Sequence, residues 1–347
     1  MKRKYVKREA AFVTGVEEFV CHLVTPATSP PTTRDWDRLF QLIAAGASAR
    51  AAKEHCHVKE HCHVLTNLTK ILEHARANRY AVPAFDCVED VMVRGILEQA
   101  EELRAPVILM GLASDLAGNG MLYLPALVRA VAEHHGIPVA LQLDHATELD
   151  LIRQAIDRGF TSVMIDGSNL PFADNVALTK AAVDMAHPHH VTVEGELGYV
   201  GGRDLDDAAC GESVLTDPSD VARFVDETGV DALAVSVGTS HGVYRALPTL
   251  SIDRLKELHA ASSVPLVLHG GSGTPADQIR EAVEEGITKM NVYADCRIAM
   301  GRGLRAAAET MPRTDPLPKD VFGPIKTELV RVVGEKMELL STVGKAW

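Results

Sequence analysis

PVALQLDH at residues 138–145 and SVMIDG at 162–167 are two short apolar runs rich in branched side chains, separated by one amphipathic stretch. Runs of this kind, apolar on both faces and alternating with helices, form parallel strands that are covered on both sides. The same unit recurs in both directions along the chain. Upstream stand VPAF at 82 and PVILMG at 106; downstream stand VTVEGELG at 191, ALAVSVGTSHG at 232, PLVLHGGSG at 265 and KMNVYAD at 289. Eight such units over roughly 280 residues predict a closed α/β barrel, the (β/α)8 TIM barrel, rather than an open sheet. The starts lie 24 to 41 residues apart, and the longest interval follows the fifth strand. The enlarged, glycine-rich loop expected there, about Gly198–Pro218 with GGRDLDD at 201–207, is a candidate lid.

Residues 64–347 carry this pattern, opening with LTNLTKILEHARANRY, in which Leu65, Leu68, Ile71, Leu72 and Ala75 fall at helical spacing. Residues 1–63 do not. Their stretch TPATSPPTTRD at 25–35 is rich in Pro and Thr, and KEHCHV is repeated in tandem from Lys53 to Val64. Imidazole and thiolate suit zinc, copper or nickel, but the spacing matches none of the closed zinc patterns, so 1–63 is expected to be an irregular, flexible extension. The 347 residues carry 35 basic and 47 acidic side chains, a net charge of −12 that repels a nucleic-acid backbone. No apolar run approaches the roughly 20 residues of a membrane span. Six cysteines in a chain of this length are expected as reduced thiols, and with no signal peptide evident the expected setting is a soluble, cytoplasmic one.

Polar residues inside apolar strands need a reason, because burying them unpartnered costs free energy. Here they gather at C-terminal strand ends: Asp144 and His145 on the third, Asp166 on the fourth, Glu194 and Glu196 on the fifth, His241 on the sixth, His269 on the seventh and Asn291 in the eighth. In a (β/α)8 barrel these ends surround one mouth, where the chemistry takes place. Three histidines from three strands satisfy a catalytic zinc that keeps a fourth position open. HGGSG at 269–273 offers unobstructed backbone N–H groups after strand seven, and NVYAD follows at 291–295. Those two loops are the usual phosphate site of this fold. His134, His135, His187, His189 and His190 lie outside the strand ends and read as solvated.

The set LDH at 143–145, SVMIDGSNLPFADN at 162–175, VEGELGYVGG at 193–202, GTSHG at 238–242, LHGGSG at 268–273 and KMNV at 289–292 resembles the class II, zinc-dependent ketose-bisphosphate aldolases, most of all their tagatose-bisphosphate branch. The resemblance runs from about Val64 to the closing EKMELLSTVGKAW. It implies a zinc ion on His145, His241 and His269, with Asp144 as the catalytic acid/base. It also implies metal-proximal carboxylates at Asp166 and Glu196, offering an alternate metal position. Gly242, Gly270, Gly271, Ser272 and Asn291 stand where the substrate's 1-phosphate and a monovalent cation, Na+ or K+, are held. The implied reaction is reversible cleavage of fructose or tagatose 1,6-bisphosphate to dihydroxyacetone phosphate and glyceraldehyde 3-phosphate, by a homodimer or homotetramer.

The chain also departs from that pattern. Arg203 and Asp204 follow the Gly-Gly pair of the lid, which passes the C3 proton-transfer role to Asp204. Tyr293 and Ala294 replace the polar residues usual after Asn291. Asp86 and Leu112 stand where other polar types are usual. Leu317, Pro318 and Lys319 replace an Asp-Pro-Arg element for the distal phosphate, a point charge in place of a bidentate fork. Asp144 and His145 pose a geometric problem as well, since neighbours in a regular strand face opposite sides.

Overall fold

The computed structural model describes residues 65–202, 213–242, 247–311 and 313–347. The expected extension at 1–63, the KEHCHV repeat and Asp204 lie outside the described residues. Helix α1 (Leu68–Ala77) precedes eight strands: β1 (Val82–Asp86), β2 (Val107–Leu112), β3 (Val139–Ala146), β4 (Ser162–Ile165), β5 (Thr192–Leu197), β6 (Ala232–Val235), β7 (Leu266–Leu268) and β8 (Ile287–Val292). All neighbours pair in parallel, and β1 pairs with β8, so the sheet closes into the expected barrel. Between the strands lie α2 (Asp90–Glu102), α3 (Gly120–Ala132), α4 (Leu149–Arg158), α5 (Phe172–Ala186), α6 (Pro218–Thr228), α7 (Ile252–Ala261) and α8 (Ala276–Glu284), followed by α9 (Ala294–Thr310) and α10 (Pro318–Leu339).

The strand period of two divides the core into two regions. Outward-facing Leu141, Leu143, Val163, Val193 and Leu233 pack against the surrounding helices. Inward-facing Ala84, Ile108, Met110, Ala140, Ala234 and Val267 form a separate cluster, which α1 completes with Leu68, Ile71, Leu72 and Ala75. The barrel floor is therefore apolar and plugged by α1. Leu65 is not part of that helix; it bridges to Val139 beside β3, a placement that satisfies an apolar residue equally well. Strand β8 starts at Ile287, two residues before the sequence reading placed it, because Thr288 and Lys289 interrupt the apolar run and yet both are buried.

The C-terminus ties back across the barrel. Thr342 Oγ1 donates to the Ala81 carbonyl at 2.6 Å, and the Trp347 ring stacks on His74 with 4.2 Å between centroids. These contacts give the closing segment a structural role remote from the mouth.

Candidate active site

Above the apolar floor, inward positions become polar in two layers. Gln142, Glu194 and Lys289 form the lower layer; Asp144, Glu196 and Asn291, each two residues further along the same strands, form the upper one. At the tip of β3 the alternation breaks. Leu143 pairs with Val163 and Ala146 with Ile165, so three steps on β3 oppose two on β4. The extra residue is a bulge, and His145 takes it up with a φ of 47°. Asp144 and His145 thereby face the same mouth, with His145 Nε2 3.9 Å from Asp144 Oδ2.

The three expected histidines meet there. Ring centroids lie 4.8 Å apart for His145 and His269, 5.0 Å for His145 and His241, and 5.8 Å for His241 and His269. One ring nitrogen from each falls within 4.8 Å of the other two. His241 does not end strand β6, as the sequence reading held; β6 stops at Val235, and His241 is carried by the loop beyond. That loop is fixed by the start of the candidate lid. His241 N donates to the Gly201 carbonyl at 2.7 Å, and Gly202 bridges to His241. Gly202 has a φ of 127°, and a Cβ there would stand 2.4 Å from both the nitrogen and the oxygen of His241. Only glycine fits so close an approach.

Carboxylates orient two of the rings. His145 Nδ1 donates to Asp166 Oδ2 at 2.9 Å, which leaves Nε2 turned to the mouth. His269 Nε2 lies 3.0 Å from Glu194 Oε1, so that nitrogen carries the proton and Nδ1 is left to face the site. His269 Nδ1 and Glu196 Oε2 approach to 3.0 Å, yet both are buried without a hydrogen bond among the described residues. Orphaned buried ligand atoms of these types, nitrogen and carboxylate oxygen, fit a divalent cation. His145, Asp166 and Glu196 form a second convergent set. Asp166 thus serves His145 as a hydrogen-bond acceptor and borders this second position.

The electrostatics agree with a cation site. Burial alone would lower the pKa of His145, but Asp144, Asp166 and Glu196 overcome it and hold it well above the ordinary value. Burial likewise opposes charge on His269, and Glu194 and Glu196 raise its pKa to about 9. His241 goes the other way, to about 3, through burial and then the neighbouring rings of His145 and His269. Glu194 is held at about 2 against its burial, by Lys289 and by His269.

The mouth opens as a cleft lined by Asp144, His145, His241 and the expected phosphate residues Gly242, Gly270, Gly271, Ser272 and Asn291. Asn291 Nδ2 donates to Asp144 Oδ1 at 3.2 Å. Gly270, at a φ of 68°, passes so near the Ser240 carbonyl that a Cβ would be 2.4 Å from it. Asp86, Leu112, Tyr293 and Ala294 line the rest, and the Tyr293 hydroxyl donates to Asp115. Lys319 is exposed in the first turn of α10 and does not line the cleft. His135 pairs with Glu101 and His187 with Asp231; neither borders the cleft. By sequence pattern alone Gln142 has no role and Lys289 falls at the start of its strand. The signal for both was their spacing, two residues before Asp144 and Asn291.

The family described as "Fructose-bisphosphate aldolase class-II" matches residues 66–345. The YdjI aldolase from Escherichia coli K12 is 30% identical, with a TM-score of 0.73 covering 82% of this chain and 100% of that one. The fructose-bisphosphate aldolase of Campylobacter jejuni is 25% identical, with a TM-score of 0.69 covering 80% of this chain and 95% of that one.

Proposed function

Because the chain belongs to the class II fructose-bisphosphate aldolase family, and is an aldolase lyase on that ground, we propose that it reversibly cleaves a ketose 1,6-bisphosphate, fructose or tagatose, with zinc on His145, His241 and His269. The products are dihydroxyacetone phosphate and glyceraldehyde 3-phosphate. The observation that carries this reading is the meeting of three imidazole nitrogens beside the Asp144 carboxylate. The ion, when bound, supplies Lewis-acid stabilisation of the negative charge that develops on the ketose oxygens as the C3–C4 bond breaks.

The chain's own residues do the rest. Asp144 takes the C4 hydroxyl proton in cleavage and returns it in condensation. Asn291 fixes that carboxylate through Oδ1. Gly242, Gly270, Gly271 and Ser272 offer N–H and hydroxyl donors to the 1-phosphate, with a monovalent cation beside it. Asp204 carries the C3 proton transfer in this proposal, and Asp166 with Glu196 holds the alternate metal position.

A second reading is favoured by the far wall of the cleft. Leu112 and Tyr293, whose hydroxyl donates to Asp115, line the cleft, and Lys319 does not. These residues suit an aldehyde partner other than glyceraldehyde 3-phosphate for the same dihydroxyacetone phosphate chemistry. Cleavage rates on fructose 1,6-bisphosphate, tagatose 1,6-bisphosphate and a series of ketose 1-phosphates test both. Turnover of a bisphosphate supports the first reading, turnover of a 1-phosphate alone supports the second, and failure on every ketose phosphate contradicts both.

A further inference from the structure

Below the three histidines, the lower polar layer of the barrel is wholly enclosed. Glu194, Lys289, Gln142 and His269 are each 0% exposed. Lys289 Nζ donates to Glu194 Oε2 at 2.7 Å, and Gln142 Nε2 donates to the same oxygen at 3.0 Å. The other oxygen, Oε1, faces His269 Nε2 at 3.0 Å. A fully buried lysine is costly unless its charge is matched, and here one carboxylate meets it. The three side chains come from β3, β5 and β8, so the arrangement spans the barrel interior.

We infer that Glu194, clamped from below by Lys289 and Gln142, is the positioning residue that fixes the tautomer of His269. It keeps the ring proton on Nε2 and turns Nδ1 to the metal. This inference rests on the reading that His269 is a metal ligand. The clamp works by direction. Two donors occupy Oε2, so the group at that position must be an acceptor; Oε1 is left as the partner of the ring's Nε2, and a carboxylate oxygen accepts but never donates. His269 Nε2 must therefore donate. Lys289 thus acts on the metal site without reaching the mouth, through one carboxylate and one ring.

Replacing Glu194 with glutamine reverses the logic. The amide has one acceptor and one donor end, and Lys289 with Gln142 claims the oxygen. The amide NH2 then faces His269 Nε2, which must accept, and the ring proton moves to Nδ1, the nitrogen that should bind metal. Adding Lys289→Met removes the ammonium. Gln142, whose Oε1 has no hydrogen bond among the described residues, can then turn to accept from the amide, freeing the amide oxygen for His269.

The test measures zinc affinity of the full-length chain by competition with a chromogenic chelator. Glu194→Gln is expected to bind zinc roughly 10–100-fold more weakly than wild type, the range typical of lost partners behind a ligand. The double variant Glu194→Gln/Lys289→Met is expected to recover about tenfold, although it disrupts more of the layer; a purely structural role would make it worse. Histidine 15N spectra of zinc-loaded wild type, with His269 assigned by its loss in His269→Asn, are expected to show a proton on Nε2 and none on Nδ1. They show which nitrogen faces the metal even if the variants do not fold. Zinc affinity of Glu194→Gln within twofold of wild type, a double variant weaker than the single one, or a proton on Nδ1 of His269 overturns the inference. Wild type that binds no zinc overturns the metal reading beneath it, and is told apart from the other outcomes by that fact.

Discussion

Asp144 and His145 are consecutive residues of one strand whose side chains face the same mouth, Nε2 lying 3.9 Å from Oδ2. The bulge between Leu143 and Ala146 makes this possible, and the positive φ of His145 is its backbone signature. A regular strand would send one of the two into the helical shell. The site thus depends on a local break of the pattern that builds the barrel, and such breaks gather where function requires them.

Gly202→Ala tests the seat of His241. An alanine Cβ would lie 2.4 Å from two backbone atoms of His241 and at a φ of 127°, so the loop must shift. Strain of this kind costs about 1–3 kcal/mol, and the expected outcome is weaker zinc binding and lower turnover from a folded barrel. Circular dichroism alongside zinc titration checks it; unchanged zinc affinity would show that the lid does not hold His241.

Chelation is expected to abolish turnover and added zinc to restore it, while borohydride with substrate leaves activity intact. An imine mechanism needs an accessible amine, and Lys289, the lysine inside the barrel, is 0% exposed and bound to Glu194. Mass spectrometry after borohydride treatment checks this, and a substrate adduct on Lys289 would contradict it.

Stability of the metal-free chain should fall as pH rises through His269's titration. Its folded pKa, about 9, stands above the ordinary 6.5, because Glu194 and Glu196 outweigh burial. A raised pKa contributes stability that is complete below 6.5 and lost as pH climbs through about 9. His145, also raised, acts in the same direction. Thermal melts of chelator-treated protein are expected to decline across that window, and less so in His269→Asn. A flat profile would contradict the assignment.

Tyr293→Phe removes the hydroxyl that donates to Asp115 while keeping the ring in the cleft wall. The expected effect is a changed preference among aldehydes in the condensation direction, with proton exchange at C3 of dihydroxyacetone phosphate little altered. Competition between two aldehydes checks it; an unchanged ratio would show that the pair is remote from the second half of the substrate.

Much of this was legible in the sequence because strands apolar on both faces stand out, and polar residues at their ends stand out against them. Asp144, His145 and His269 follow directly from that contrast. His241 reads the same way, as the end of the sixth strand, although the structure carries it on the loop beyond β6, where no strand pattern reaches. Lys289 blurred the start of β8 because its partner, Glu194, is 95 residues away and on another strand. Leu65 fitted the helical period by spacing alone. The adjacency of Asp144 and His145 marks a break in the alternation, but the bulge that makes the break is defined by register against β4.

The central claim is that the histidines hold the metal while Asp144 moves the proton. It is tested most directly by measuring zinc content, C–C cleavage and C3 proton exchange in parallel for Asp144→Ala and His269→Ala. Asp144→Ala should keep near-normal zinc and lose cleavage by roughly 10²–10⁴-fold, the usual contribution of a general acid/base, with proton exchange less affected. His269→Ala should lose zinc, and both activities should fall with it. Asp144→Ala that loses its zinc, or that cleaves substrate at the normal rate, would contradict the claim.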